Sequence, residues 1–161
     1  MIWRTIMLNY HNYLTDEEKT IVSCWKYNGE YAIYNLHSPD KQKKEQKGIY
    51  NPDNQQNYYA FYDGDVLVGY INLIERQNKF SVGIAVAPDK CGRGYGTQML
   101  NICTEIAKDI NPSKPLGLQV RCWNSRAIRC YTKAGFKIIG EKYTMVTPSG
   151  ETEFYRMVKN T

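Results

Sequence analysis

Three glycines crowd one stretch of the chain, VAPDKCGRGYGTQML, at Gly92, Gly94 and Gly96. Placed between a strand-like and a helix-like segment, they let backbone amides approach an anion with no side chain in the way. The following helix contributes roughly half a positive charge at its N-terminus, and Lys90 and Arg93 add mobile cations. The ligand such a bend suits is a diphosphate; the alternative is a turn that binds nothing. Two familiar phosphate loops do not fit. A Walker loop ends in Gly-Lys-Ser/Thr, and the chain has no such triplet after the glycines. A dinucleotide fingerprint spaces its glycines G-x-G-x-x-G after an early strand of a parallel repeat, whereas this is G-x-G-x-G late in a mostly antiparallel run.

Other chemistry is limited by composition. The five cysteines, Cys24, Cys91, Cys103, Cys122 and Cys130, are odd in number and lack C-x-x-C spacing, so reduced thiols are expected. The two histidines, His11 and His37, form no ligand pattern with them, and no metal is expected. The N-terminal MIWRTIMLNYHNYL has neither an apolar core of signal-peptide length nor a small-residue cleavage site, which leads us to expect a cytoplasmic protein without membrane contact. The net charge of +5 draws partly on Lys41, Lys43, Lys44 and Lys47, a run that reads as solvated surface.

These groups need elements to hold them. The 161 residues, 42% apolar, suit one domain over 1–161. Residues 2–8 can be a strand, and Thr15 followed by Asp16, Glu17 and Glu18 reads as a capping box opening a helix. Residues 27–57 suggest turns around one lysine-bearing helix. YYAFY, VLVGYINLIE and KFSVGIAVAP read as three antiparallel strands with turns at 63–65 and near Gln77-Asn78. Met99, Ile102, Cys103, Ile106, Ala107 and Ile110 recur on one face of a helix after the glycines. LGLQVRCW is a strand, then Asn124 caps a helix that Gly135 stops. FKIIGEKYTMV and TEFYRMVK complete the set. The layout is mixed α/β (α+β).

The glycine stretch resembles motif A of the GNAT N-acetyltransferase superfamily: Arg or Gln, two residues, Gly, one residue, then Gly or Ala, after a strand ending Val-x-Pro. Val86, Pro88, Gly94 and Gly96 match, while Cys91 stands where the family has Arg or Gln. Further on, LQVRCWNSRAIRCYTKAGF resembles motif B, with Asn124, Ala127, Ile128, Tyr131, Gly135 and Phe136 in register. That motif is most similar to the type that acetylates the N-terminal alanine of a ribosomal protein. The resemblance implies a mostly antiparallel sheet of six to seven strands flanked by helices and splayed at the cofactor site. It implies acetyl-CoA as co-substrate and a primary amine as acceptor.

The resemblance also implies roles. Main chain at Ile84, Ala85 and Val86 would pair with the pantetheine amides, and an N–H near Val86 would stabilise the oxyanion. Amides of Cys91, Gly92, Arg93, Gly94, Tyr95, Gly96 and Thr97 would hold the pyrophosphate, with Asn124, Ala127 and Lys133 as further cofactor contacts. Tyr131 would protonate the leaving sulfur; packing is its alternative. The amine must lose a proton, and a lysine-like amine holds it to about pH 10.4. In the alanine-acetylating type a strand glutamate takes it, but here that position is Gln119. Glu75 and Glu141 are the substitutes, with an ordered water path as the other choice.

The acceptor stays open among peptides, polyamines, aminoglycosides and small metabolites. Trp25, Tyr27, Tyr31, Tyr34, Tyr50, Tyr58, Tyr59, Phe61, Tyr62 and Tyr70 crowd the first half. They suit cradling an amine, though sheet packing accounts for them as well. A catalytically silent CoA-binding sensor is the rival reading, prompted by Gln119 and Cys91. A basic nucleic-acid binder ranks below it, since no nucleic-acid motif occurs. A homodimer through the final strands stays open.

Overall fold

The computed structural model describes residues 7–161. Its strands are β1 (Leu8–Asn12), β2 (Tyr58–Asp63), β3 (Val66–Glu75), β4 (Phe80–Val86), β5 (Leu116–Arg121), β6 (Lys137–Thr147) and β7 (Gly150–Lys159). The helices are α1 (Asp16–Ser23), α2 (Pro39–Glu45), α3 (Tyr95–Ile110) and α4 (Ser125–Lys133). The strands follow the order β1-β2-β3-β4-β5-β7-β6 in one sheet. It is mostly antiparallel, with β4 and β5 parallel. Contacts divide the chain into two compact units: the described part of Met1–Ile71 with Ile84–Cys91, and Asn72–Gly83 with Gly92–Thr161.

In the first unit the expected capping box closes α1. Thr15 Oγ1 accepts from Glu18 N at 3.1 Å, and Glu18 Oε1 accepts from Thr15 N at 2.8 Å, satisfying two donors the helix leaves open. Val22 then joins Leu14, Ile49, Tyr58 and Ala60 in a buried cluster, against which Trp25, Tyr50, Tyr62 and Tyr70 pack. The rings of Trp25 and Tyr70 stack at 6.2 Å, and Tyr58 meets Tyr70 at 6.0 Å. Much of the aromatic crowd is therefore core. Lys41, Lys43 and Lys44 of the lysine run lie in α2, opened by Pro39 and capped by Ser38.

The first strand differs from expectation. Residues 2–6 lie outside the described residues, and β1 continues to Asn12, pairing Leu8↔Asp63 through Asn12↔Tyr59. The polar LNYHN gives no apolar alternation, and the backbone ladder to β2 holds it extended.

In the second unit the helix after the glycines forms as expected, but its buried stripe is turned. Tyr95, Met99, Cys103 and Ala107 are buried with Leu100 and Thr104, while Ile110 is exposed. Thr104 is tolerated because its hydroxyl donates to Leu100 O at 2.8 Å. Leu116, Leu118 and Val120 are buried along one face of β5, and Gln119 is exposed on the other, the alternation of a strand with one covered face. Among the described residues the parallel β4–β5 ladder consists of Phe80↔Leu116 and Ser81↔Gly117. A register shift interrupts β6 between Ile139 and Tyr143, with Gly140 left-handed at φ 66°.

Candidate active site

The second unit holds the glycine bend and the motif B helix. Gly92 (φ 77°) and Gly94 (φ 86°) are left-handed, a conformation that strains any L side chain. A Cβ at either would meet nothing within 4 Å, so the backbone is open to approach. Gly94 is the N-cap of α3 and brings no side-chain cap bond. The helical ladder begins with Gln98 N donating to Gly94 O at 3.3 Å. A helix leaves the amides of its first turn without an intrahelical acceptor, here those of Gly96 and Thr97. Arg93 is exposed beside them.

Thr97 fixes this turn to α4: its hydroxyl donates to Cys130 O at 3.4 Å and lies 3.7 Å from Cys130 Sγ. Tyr131 follows, half-buried, its ring 6.4 Å from that of Phe136. Asn124 caps α4, Oδ1 accepting from Ala127 N at 3.1 Å. It is only 6% exposed, so the cap accounts for that oxygen. Ala127 is half-buried in the first turn, and Lys133 is exposed in the last.

In the first unit Ile84, Ala85 and Val86 are half-buried at the end of β4. Cys91 does not turn its thiol into the bend. It donates back to Ala87 O at 3.5 Å and Val86 O at 3.8 Å, tying the loop to the strand it leaves. Tyr27, which sequence reading noted only as one aromatic among many, donates from its hydroxyl to Val86 O at 2.7 Å. Asn35 sets it there, Oδ1 accepting from Tyr27 N at 2.7 Å and Nδ2 donating to Tyr27 O at 3.4 Å. Nothing in the spacing of residues 27 and 35 announces that clamp.

The two glutamates offered as a base sit in different surroundings. Glu75 Oε1 accepts from Lys114 Nζ at 2.8 Å and from Asn111 Nδ2 at 3.5 Å. The bond to Lys114 holds its carboxyl below the usual range, opposite to what a base for an alkylamine requires. Glu141 is exposed in the irregular stretch of β6. Gln119 pairs with Arg156 across β5 and β7.

None of the five cysteines is in a disulfide. No cluster of three metal-ligating side chains occurs among the described residues. No helix of the described residues is long and apolar enough to cross a membrane.

Residues 23–136 match the profile of the Acetyltransferase (GNAT) family, and the chain belongs to that family. An uncharacterized N-acetyltransferase of Bacillus subtilis (strain 168), YobR, is 34% identical over 88 residues. The match takes in 53% of this chain and 35% of YobR, so the chain spans about a third of that relative's length.

Solved structures share the fold. Spermidine N-acetyltransferase from Vibrio cholerae, in complex with CoA and spermine, superposes with a TM-score of 0.73 at 20% identity, covering 94% of each chain. The ribosomal-protein-S18-alanine N-acetyltransferase from Escherichia coli superposes at 0.65 and 17%, covering 95% of this chain and 93% of that one.

Proposed function

We propose that the chain, as one acetyltransferase domain over 1–161, transfers the acetyl group of acetyl-CoA to a primary amine. The observation that carries this is the open left-handed bend at Gly92 and Gly94, running into the N-terminus of α3, in a chain of this family. Acetyl-CoA supplies an activated thioester; the chain's residues bind and orient it and handle charge and protons.

Amides of residues 91–97 hold the pyrophosphate, with Arg93 and Lys133 as outer cations. Residues 84–86 offer strand-edge groups to the pantetheine arm. Asn124 acts by shaping the start of α4, beside which Ala127 lines the approach. The Val86 N–H is the donor for the carbonyl oxygen as the amine attacks and charge gathers there. Tyr27 and Cys91 both donate to the Val86 carbonyl and so fix the next peptide, 86–87, at the end of the strand. Tyr131 gives its proton to sulfur as the carbon–sulfur bond breaks. With Gln119 uncharged and Glu75 bound to Lys114, the amine's proton leaves through water, Glu141 being the remaining carboxylate to test. No metal takes part in this scheme, and we assign the protein to the cytoplasm.

The acceptor is a small molecule or a peptide amine. Spermidine and the alanine of a ribosomal protein, named for the solved relatives, are two classes to assay. The engagement of Glu75 favours one second reading, a CoA-binding sensor without turnover. The test is CoA release from acetyl-CoA over an amine panel. Tyr131→Phe is expected to lower kcat by about 100-fold, the low end for a lost general acid, with CoA affinity kept. Unchanged turnover would remove Tyr131 from the scheme, and CoA binding without release from any amine would establish the sensor.

A further inference from the structure

A cavity of about 380 Å³ opens within the second unit beside the exposed face of β5. That is ample for a small molecule. Its lining includes Arg76 and Lys79 from the β3–β4 turn, Gln119 from β5 and Arg156 from β7, and it contains no Asp or Glu. None of the ion pairs among the described residues engages these cations. Glu75, the carboxylate next in sequence to Arg76, is taken by Lys114.

Two of the cations are held in place. The Arg156 guanidinium lies 3.7 Å over the centre of the Tyr143 ring, and Tyr143 stacks on Phe154, which carries Arg121 on its own ring at 5.1 Å. Such contacts fix a guanidinium without neutralising it. Lys79 lies across Gly117, where a Cβ would stand 3.2 Å from its Cδ and 3.5 Å from its Nζ. The absent side chain at 117 is what lets the ammonium reach over the strand. Unneutralised cations around a concave site favour an anion and repel a polycation.

The cavity also adjoins the strand that the acetyl-transfer reading uses. Val82 lines it and precedes Ile84 by two residues on β4, about 7 Å along a strand that rises about 3.3 Å per residue. On that reading, on which this inference rests, the cavity and the residues assigned to the pantetheine arm draw on the same strand, β4.

We infer that the cavity bounded by Arg76, Lys79 and Arg156 is an anion subsite, and that the acceptor is a primary amine carrying a carboxylate or phosphate several bonds away. A polyamine is thereby disfavoured. The planar fork of Arg156 suits either oxyanion.

The experiment pairs turnover with binding. CoA release is compared for glycine, 4-aminobutyrate and 6-aminohexanoate against hexylamine and spermidine, with O-phosphoethanolamine and glucosamine 6-phosphate as the phosphate arm. The expected result is a kcat/KM at least about tenfold higher for an anionic amine than for hexylamine, the scale of one charged hydrogen bond. R156Q, and separately K79Q, should shrink that preference by a similar factor by raising KM. Both side chains are exposed, and the pair of variants guards against one folding badly.

Hexylamine or spermidine used as well as every anionic amine, or a preference that neither variant alters, overturns the subsite. Calorimetry with 6-aminohexanoate and glucosamine 6-phosphate reads the site without turnover. Binding weakened about tenfold or more in R156Q or K79Q, with no CoA release from any amine, keeps the subsite and defeats the transfer reading. No binding of either anion, with brisk release from other amines, does the reverse.

Discussion

Glu18 is nearly buried, at 3% exposure, and gathers Tyr62, His11 and Thr15 around one carboxylate. Tyr62 donates its hydroxyl to Oε2, and His11 Nε2 lies 2.8 Å from the same oxygen. Burial works against the charge, yet the bonds from Tyr62, Thr15 and His11 outweigh it and lower the carboxyl from 4.5. For His11, burial is likewise outweighed, by bonds to Asn12 O and Glu18, and its value is raised from 6.5. The carboxylate's contribution is present above pH 4.5 and lost as pH falls through its lowered value. The imidazolium's is complete below pH 6.5 and lost as pH rises through its raised value. The pair should therefore stabilise most between pH 4.5 and 6.5. Glu18→Gln should cost about 1–3 kcal/mol near pH 6, as a charged hydrogen-bond centre is removed, and flatten the profile. Thermal melts of both proteins from pH 4 to 8 check this; parallel profiles would mean the pair contributes nothing. Residue types disclosed the capping box here, but not His11 and Tyr62, which reach Glu18 from paired strands.

Among elements, the bend into α3 decides whether the cofactor reading holds. Gly94 and Gly64 are both left-handed, at φ 86° and 60°, and both have open space where a Cβ would be. Gly94→Ala and Gly64→Ala should each lose about 1–2 kcal/mol of stability to backbone strain. Only Gly94→Ala should also weaken CoA binding in calorimetry, because only its amides open a helix toward an anion. Equal CoA affinity in the two variants would mean that the bend is a turn and nothing more. The glycines, α3 and the Asn124 cap of α4 were legible because each rests on local backbone demands. The turned stripe of α3, with Thr104 inside and Ile110 outside, was not. Which residues of a helix are covered depends on what packs on it, and a threonine can hide by bonding its own helix.

For the whole molecule, a net charge of +5 first raises the question of a nucleic-acid partner. Three of the run's lysines sit on α2, where Lys41 and Lys44 are exposed, while Lys43 lies 5.5 Å over the Tyr50 ring. Lys41→Gln with Lys44→Gln should change stability by no more than about 0.5 kcal/mol, as for solvated surface positions, and leave CoA affinity as it was. A melt and a CoA titration decide it; a large loss in either would give the run a role beyond solubility.

What the sequence determined by itself was local and periodic: the glycine bend, the caps, the strand alternation and, through two motifs in register, the family. Tertiary structure alone decided the pairings. It set Tyr27 on the Val86 carbonyl, turned the Cys91 thiol back onto its own strand, and paired Glu75 with Lys114. It also brought Arg76, Lys79 and Arg156 around one cavity, from a turn and a strand far apart in the chain. The reason is physical. A cap or a left-handed turn is fixed by the few residues that form it, whereas the partner of a charge or hydroxyl depends on strand order and register, which no short segment encodes.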